Sequence, residues 1–161
     1  MDRQEQIENL LDHYEHPRHR HADDRADVVM PGGNPGCGDV ITVYLDVGED
    51  GRTVQGVSFE GEGCTISQAA ASILMEMVHD EGWTLDDIVD SDYTAMIDVL
   101  GKEAVQMRPK CATLALGTLK AAVKKYRRDR MLEDARLDAV DRENAELGIV
   151  TGDSALDGRE H

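Results

Sequence analysis

The segment that decides the fold is residues 40–80, VITVYLDVGEDGRTVQGVSFEGEGCTISQAAASILMEMVHD. Residues 40–47 are rich in β-branched side chains, and GEDG at 48–51 has the composition of a hairpin turn. Residues 53–59 alternate imperfectly and supply a partner strand, and residues 65–80 carry apolar side chains at helical spacing. This order predicts a β-hairpin followed directly by an amphipathic helix.

The sequence before the hairpin predicts one helix and one short strand. Residues 3–14 place apolar side chains at helical spacing, and the helix stops at His16-Pro17. Residues 26–30 are a candidate first strand, and PGGNPG at 31–36 predicts a turn or loop that closes it. Four histidines fall in or near the polar segment between these elements, where we expect a solvated loop rather than a second metal site: His13, His16, His19 and His21.

The sequence after the hairpin is predicted to be helical. Short helices are expected over residues 85–89 and 93–100, and a longer one over 111–126. We therefore expect an α+β fold, a small three-stranded antiparallel sheet packed against several α-helices. Residues 1–126 would form this domain. Residues 127–161 would be a charged helical extension that ends in a disordered acidic tail from residue 148.

Composition excludes several classes of function. The 161 residues carry a formal net charge of −16, which repels phosphate backbones and argues against a nucleic-acid partner. No apolar run is long enough to span a membrane, and the N-terminus lacks the features of a secretory signal, so we expect a cytoplasmic protein. The acidity suits either a high-salt cytoplasm or an ordinary acidic cytosolic protein.

The three cysteines have similar surroundings. Cys37 lies in a Pro/Gly turn before a strand, whereas Cys64 and Cys111 each stand where a helix begins. The number is odd and the expected compartment is reducing, so a disulfide framework is not favoured. The positive end of a helix dipole favours the thiolate, which is the form that binds metals and accepts sulfur.

Asp39 adds an oxygen ligand to this set. It lies two residues after Cys37, so both side chains can point to one side of an extended segment. Three sulfurs and one carboxylate suit Zn²⁺ or an iron–sulfur cluster. The spacings of 27 and 47 residues match no short metal motif. A buried cysteine at position 64 and a turn aspartate at position 39 therefore remain open alternatives.

The cysteine segments also resemble those of a known family. PGCGD at 35–39, GEGCTIS at 61–67 and RPKCATL at 108–114 are similar to the three cysteine motifs of the iron–sulfur scaffold family, which comprises IscU, SufU and the NifU N-terminal domain. DHYEHPR at 12–18 resembles the end of that family's first helix. The resemblance covers about residues 5–126.

Within this family the SufU-like branch is the better match. Lys110 stands where IscU-type scaffolds carry a histidine, and SufU-like members share both KCATL and the preceding arginine, here Arg108. The stretch 81–107 is shorter than the usual SufU-like insertion.

The resemblance implies a site and a function. Cys37, Asp39, Cys64 and Cys111 would bind Zn²⁺, Fe or a nascent [2Fe–2S] cluster, with Arg108 and Lys110 offsetting negative charge around it. A cysteine desulfurase of the SufS, IscS or NifS type would deliver persulfide sulfur to Cys37. Downstream iron–sulfur apoproteins or carriers would receive the product. Such a chain is a scaffold or a zinc-dependent, sulfurtransferase-like acceptor rather than a free-standing turnover enzyme.

Two other functions are kept as alternatives. A structural zinc module without sulfur transfer would use the same ligands, although such sites usually hold only cysteine and histidine. A thiol redox enzyme is disfavoured because no Cys-x-x-Cys pair is present. Arg108 and Lys110 can also be interpreted as a solvated basic pair.

Overall fold

The fold is shown by a computed structural model, which describes residues 2–34, 38–106 and 108–146. The described elements follow the chain in the order α1 (Arg3–Glu15), β1 (Val28–Asn34), β2 (Asp39–Val47), β3 (Val54–Glu62), α2 (Thr65–Glu81), α3 (Leu85–Asp90), α4 (Tyr93–Leu100), α5 (Lys102–Val105) and α6 (Pro109–Glu146). The chain forms two compact units, the first ending at Lys125 and the second beginning at Tyr126.

The predicted hairpin forms the centre of the sheet. Strands β2 and β3 pair antiparallel from Val40↔Glu62 at one end to Val47↔Val54 at the other. In the connecting turn, Asp50 Oδ1 accepts the backbone N–H groups of Arg52 and Thr53, both at 2.9 Å. These hydrogen bonds, with that from Thr53 the strongest, lower the pKa of Asp50 to about 2. The carboxylate therefore holds the turn closed over a wide pH range.

One face of the sheet is buried against helices. Alternate residues of β2 point inward, and Ile41, Val43 and Leu45 are fully buried. Phe59 on β3 is also fully buried, and removing a side chain of this kind from water stabilises the fold by roughly 1.5–3 kcal/mol. Helix α2 packs against both β3 and α1. The expected α+β fold, with a three-stranded antiparallel sheet against several helices, is confirmed.

Strand β1 differs from its prediction. It runs through Asn34 instead of ending at residue 30, so that the predicted turn residues 31–34 pair with β2. Pro31 is tolerated because β1 is an edge strand of the order β1-β2-β3. Gly32 is required because a Cβ there would lie 2.0 Å from Thr118 Oγ1 on α6. Close contact with a distant helix therefore converts a turn-like sequence into strand.

The helical part also extends beyond its prediction. Helix α6 begins at Pro109 and continues to Glu146, whereas the sequence pattern predicted a helix over 111–126 with a charged continuation. The short helix α5 had no counterpart among the predicted elements. The tail predicted to be disordered, residues 148–161, lies outside the described residues. Among the described helices, none combines the length and the apolar composition needed to cross a membrane.

Candidate metal centre

Asp39 lies at the end of the sheet opposite the hairpin turn. It is the first residue of β2 and is only 1% exposed, which is unusual for a carboxylate. Its Oδ1 accepts the backbone N–H of Cys64 at 2.9 Å, and its Oδ2 lies 3.8 Å from Cys64 Sγ. The β2–β3 register therefore brings these two residues together, although 25 positions separate them in sequence.

Cys64 connects β3 to α2 and caps the helix. Its backbone is extended, and its Sγ accepts the backbone N–H of Ser67 at 3.5 Å. Ser67 Oγ in turn donates to the carbonyl oxygen of Cys64 at 3.0 Å. Backbone N–H groups at a helix start stabilise negative charge placed beside them. The half-buried sulfur is thus oriented by the backbone of α2 and lies next to the Asp39 carboxylate.

Cys111 approaches from a third element. It lies in the first turn of α6 and is fully buried. One ligand atom each from Asp39, Cys64 and Cys111 lies within 4.8 Å of the others. Two sulfurs bound to one tetrahedral ion at 2.3 Å are about 3.8 Å apart, so this cluster needs to contract by at most about 1 Å to surround one ion. The donor set fits a single Zn²⁺ or Fe²⁺ ion.

Gly63 makes the approach of Asp39 possible. Its φ of +154° lies in a region that side chains rarely adopt. A Cβ at this position would lie 2.2 Å from Asp39 Oδ1 and 2.8 Å from Ser67 Oγ. Only glycine therefore lets the chain turn from β3 into α2 while the carboxylate stays against the Cys64 backbone.

Three further residues are predicted from the sequence to belong to the site: Cys37, Arg108 and Lys110. Cys37 lies outside the described residues. Arg108 and Lys110 are exposed beside the start of α6, next to Cys111 in sequence. Their predicted effect on the charge of the site stays a prediction.

A polar cavity lies next to Gly63, and the sequence pattern does not predict it. It has a volume of about 660 Å³, and its lining residues include Tyr14, Glu15, Arg20, Glu62, Gly63 and Gln68. Gln68 is 7% exposed, and its Oε1 has no hydrogen-bond partner in the part of the chain that the structure describes. Its position four residues after Cys64 was the available signal, since residues i and i+4 share one helix face.

Comparison with known proteins shows which family this chain resembles. The family model described as NifU-like N terminal domain matches residues 5–133. An iron–sulfur cluster assembly scaffold protein IscU from Thermotoga maritima is 38% identical over 138 residues, which cover 75% of this chain and 94% of the relative. A zinc-dependent sulfurtransferase SufU from Bacillus subtilis is 32% identical, with coverages of 72% and 87%.

A solved structure shows the same fold. The crystal structure from Fervidobacterium islandicum AW-1, described as a scaffold protein for the SUF system, has a TM-score of 0.60 and 28% identity. The match covers 72% of this chain and 94% of that one. The chain therefore belongs to the iron–sulfur cluster assembly scaffold family that includes IscU, SufU and the NifU-like N-terminal domain.

Proposed function

We propose that this chain accepts persulfide sulfur from a cysteine desulfurase in the cytoplasm and holds a metal on Cys37, Asp39, Cys64 and Cys111. The observation that carries the proposal is the convergence of one carboxylate and two sulfurs from three separate elements within 4.8 Å. Membership of the scaffold family and similarity to a zinc-dependent sulfurtransferase support it. The products would pass to downstream iron–sulfur apoproteins or carriers.

The compactness of the ligand set favours one ion in the resting protein. The observed 4.8 Å limit is close to the spacing of ligands around one tetrahedral Zn²⁺. A [2Fe–2S] cluster distributes its ligands over two irons, so it would need the set to spread. We therefore propose Zn²⁺ as the resting metal and a nascent cluster as a later occupant. The bound ion would hold the sulfurs deprotonated at neutral pH.

Sulfur acceptance is proposed to occur at Cys37. Its thiolate would attack the outer sulfur of the desulfurase persulfide, forming a new S–S bond on Cys37 and releasing the desulfurase cysteine as a thiolate. The step conserves charge and needs no external oxidant or reductant. Asp39 would keep the Cys64 backbone in place throughout, because its Oδ1 accepts that N–H at 2.9 Å.

The cavity beside Gly63 offers space for the incoming donor. Its lining includes Gly63, the residue before Cys64, and Gln68, whose side chain is 7% exposed. Arg20 at the cavity donates to the carbonyl oxygen of Gly61 at 2.9 Å and thereby fixes the end of β3. These contacts would hold the cavity wall still during transfer.

The metal assignment is tested by metal analysis and absorption spectroscopy after anaerobic purification. We expect about one Zn²⁺ per chain and no visible absorption band, because Zn²⁺ has a filled d shell. Cys64→Ala and Asp39→Ala should each lower the zinc content severalfold. Glu49→Gln, an exposed acid at the opposite end of the sheet, is the control and should retain zinc. Full zinc content in Cys64→Ala would refute the ligand set.

Sulfur acceptance is tested separately with a cysteine desulfurase and radiolabelled cysteine. We expect reductant-labile label on the wild-type chain and its loss in Cys37→Ala. If Cys37→Ala keeps both the label and the stimulation of the desulfurase, Cys37 is not the acceptor. If the wild-type chain binds zinc and unfolds on chelation but never takes up label, it is a structural zinc module instead.

A further inference from the structure

The loop after α1 covers the outer edge of β3. In the sheet order β1-β2-β3 this strand pairs with β2 on one side only. On the other side, the Phe59 backbone N–H donates to the carbonyl oxygen of His19 at 3.0 Å. Arg20 Nη2 donates to the carbonyl oxygen of Gly61 at 2.9 Å. An uncovered edge strand is free to pair with another chain, so these contacts occupy groups that would otherwise be available.

A second histidine covers the neighbouring position on the same edge. His79, in the last turn of α2, places its Nε2 3.0 Å from the carbonyl oxygen of Val57, and this hydrogen bond needs a proton on Nε2. The rings of His19 and His79 are stacked, with centroids 3.9 Å apart and planes inclined by 16°. The loop after α1 and the end of α2 therefore meet through two imidazoles directly over the edge of β3.

The loop stays closed because its contacts hold it there. Among the described residues, His19 is the only one other than glycine with a positive φ (59°), a conformation that side chains disfavour. The charged groups that face its ring are His79, Glu76 and Asp80 on α2 and His21 on its own loop. Burial lowers the pKa of His19 most, and His79 acts in the same direction. The arrangement therefore favours a neutral ring at position 19.

We propose that the stacked pair of His19 and His79 is an acid-sensitive clasp, which stays closed while at most one ring is charged and opens when both are protonated. A neutral imidazole stacks on a neutral or a charged ring, but two imidazolium ions at this distance repel each other. Interacting sites take up their protons in two separate steps, so the clasp responds to the second step. Glu76 offsets little of the repulsion because it also pairs with Arg18.

Opening of the clasp would alter the approach to Cys64. It would free the Phe59 N–H on the edge of β3 and withdraw Arg20 from Gly61. Arg20 and Gly61 both line the cavity of about 660 Å³ that includes Gly63. Protonation of the two histidines would therefore change the wall of this cavity and loosen the end of β3. The clasp is a conformational device that is separate from the ligand set.

The test is hydrogen exchange of the Phe59 amide in the full chain, measured by NMR between about pH 7.5 and about pH 5 and corrected for the intrinsic rate. We expect the wild-type protection to fall at least tenfold across this range. His19→Asn tolerates the positive φ, and His79→Gln keeps an N–H for the Val57 carbonyl oxygen. Neither replacement can be charged, so protection in both variants should change less than twofold.

Two further histidine variants and one reference amide separate the clasp from other effects of acid. His21→Gln, on the same loop but outside the stack, and His13→Gln should both keep the wild-type fall at Phe59. The Val43 amide in the central strand reports global unfolding and should keep its protection.

Four results would each overturn the proposal. The first is a wild-type Phe59 amide whose protection does not change, and the second is a fall that persists in His19→Asn or His79→Gln. The third is an equal fall at Val43. The fourth is the loss of pH dependence in His21→Gln or His13→Gln.

Discussion

Gly63 separates the Asp39 carboxylate from the first turn of α2. Glycine is needed at this position for a steric reason as well as for its backbone conformation. A Cβ would lie 2.2 Å from Asp39 Oδ1. That overlap is with a buried carboxylate whose other contacts hold it in place. The smallest possible side chain would therefore displace a proposed metal ligand.

Gly63→Ala should consequently lower the affinity for zinc. We expect a loss of at least tenfold, which corresponds to about 1.4 kcal/mol, measured by competition with a chromophoric chelator. Gly82→Ala is a suitable control, because Gly82 also has a positive φ (+64°) but has no neighbour within 4 Å of a Cβ. It should cost stability, about 1–2 kcal/mol, without changing zinc affinity. Equal zinc affinities in the two variants would contradict the steric argument.

At the residue scale, the sequence was sufficient to predict a site residue where a short local pattern marks it. Cysteines that follow a glycine or proline segment at an element boundary identified Cys64 and Cys111, and the structure brings both to Asp39. Gln68 lies one helical turn after Cys64, but this spacing alone does not distinguish a buried amide from a solvent-facing one. Only the packed structure shows that its amide oxygen is buried beside a cavity.

At the element scale, His13 links α1 to α2. The sequence suggested a solvated histidine segment, but His13 is 2% exposed. Its Nδ1 lies 2.7 Å from Ser72 Oγ, and its Nε2 lies 3.4 Å from Glu76 Oε1. Ser72 Oγ also accepts the Arg18 backbone N–H at 2.8 Å, which leaves the hydroxyl proton available to His13. The end of α1 is thereby hydrogen-bonded to the middle of α2.

This contact should make the stability of the protein depend on pH. Burial lowers the pKa of His13, and the neighbouring Arg18 charge acts in the same direction. The unfolded chain takes up a proton near pH 6.5, but the folded chain resists it. The contribution of neutral His13 to the free energy of unfolding is therefore fully present above pH 6.5 and is lost progressively as pH falls from that value through the lower pKa of the folded protein. In His13→Gln, the free energy of unfolding, measured by urea denaturation at a series of pH values, should fall less steeply below pH 6.5.

The exposed His16 provides the matched control. His16→Gln should leave the decline in stability below pH 6.5 as in the wild type, since metal loss at acid pH acts on all three proteins alike. An unchanged slope in His13→Gln would show that α1 is not held to α2 through this imidazole.

The elements themselves were predictable to different degrees. The β2–β3 hairpin and α2 follow from local composition, and both are present. The extension of β1 through residues 31–34 depends on pairing with β2 and on the fit of Gly32 against Thr118, two contacts far apart in sequence. Propensity does not include such contacts, so the turn-forming residues at 31–34 predict a loop.

At the scale of the whole molecule, the net charge of −16 should make the stability of the fold depend on salt concentration. Mutual repulsion among the acids opposes compaction, and salt weakens it as the screening length falls from roughly 10 Å at 0.1 M to roughly 3 Å at 1 M. We expect the melting temperature to rise by several degrees over this range of KCl. An equal osmolality of sucrose is the control and should raise it less. A melting temperature that falls as KCl is added would contradict the argument that repulsion among acidic side chains limits the stability of the fold.

The ligands of the metal centre also become available at very different times during synthesis. Asp39 and Cys64 are brought together by the β2–β3 ladder as soon as the hairpin closes, but Cys111 follows Cys64 by 47 residues. At a translation rate of about 5–20 residues per second, this delay is roughly 2–9 s. A ribosome-bound chain therefore passes through an interval with an incomplete set of ligands. Metal binding is therefore a late event in the synthesis of the protein. Chains that terminate before Cys111 lack one of the proposed ligands.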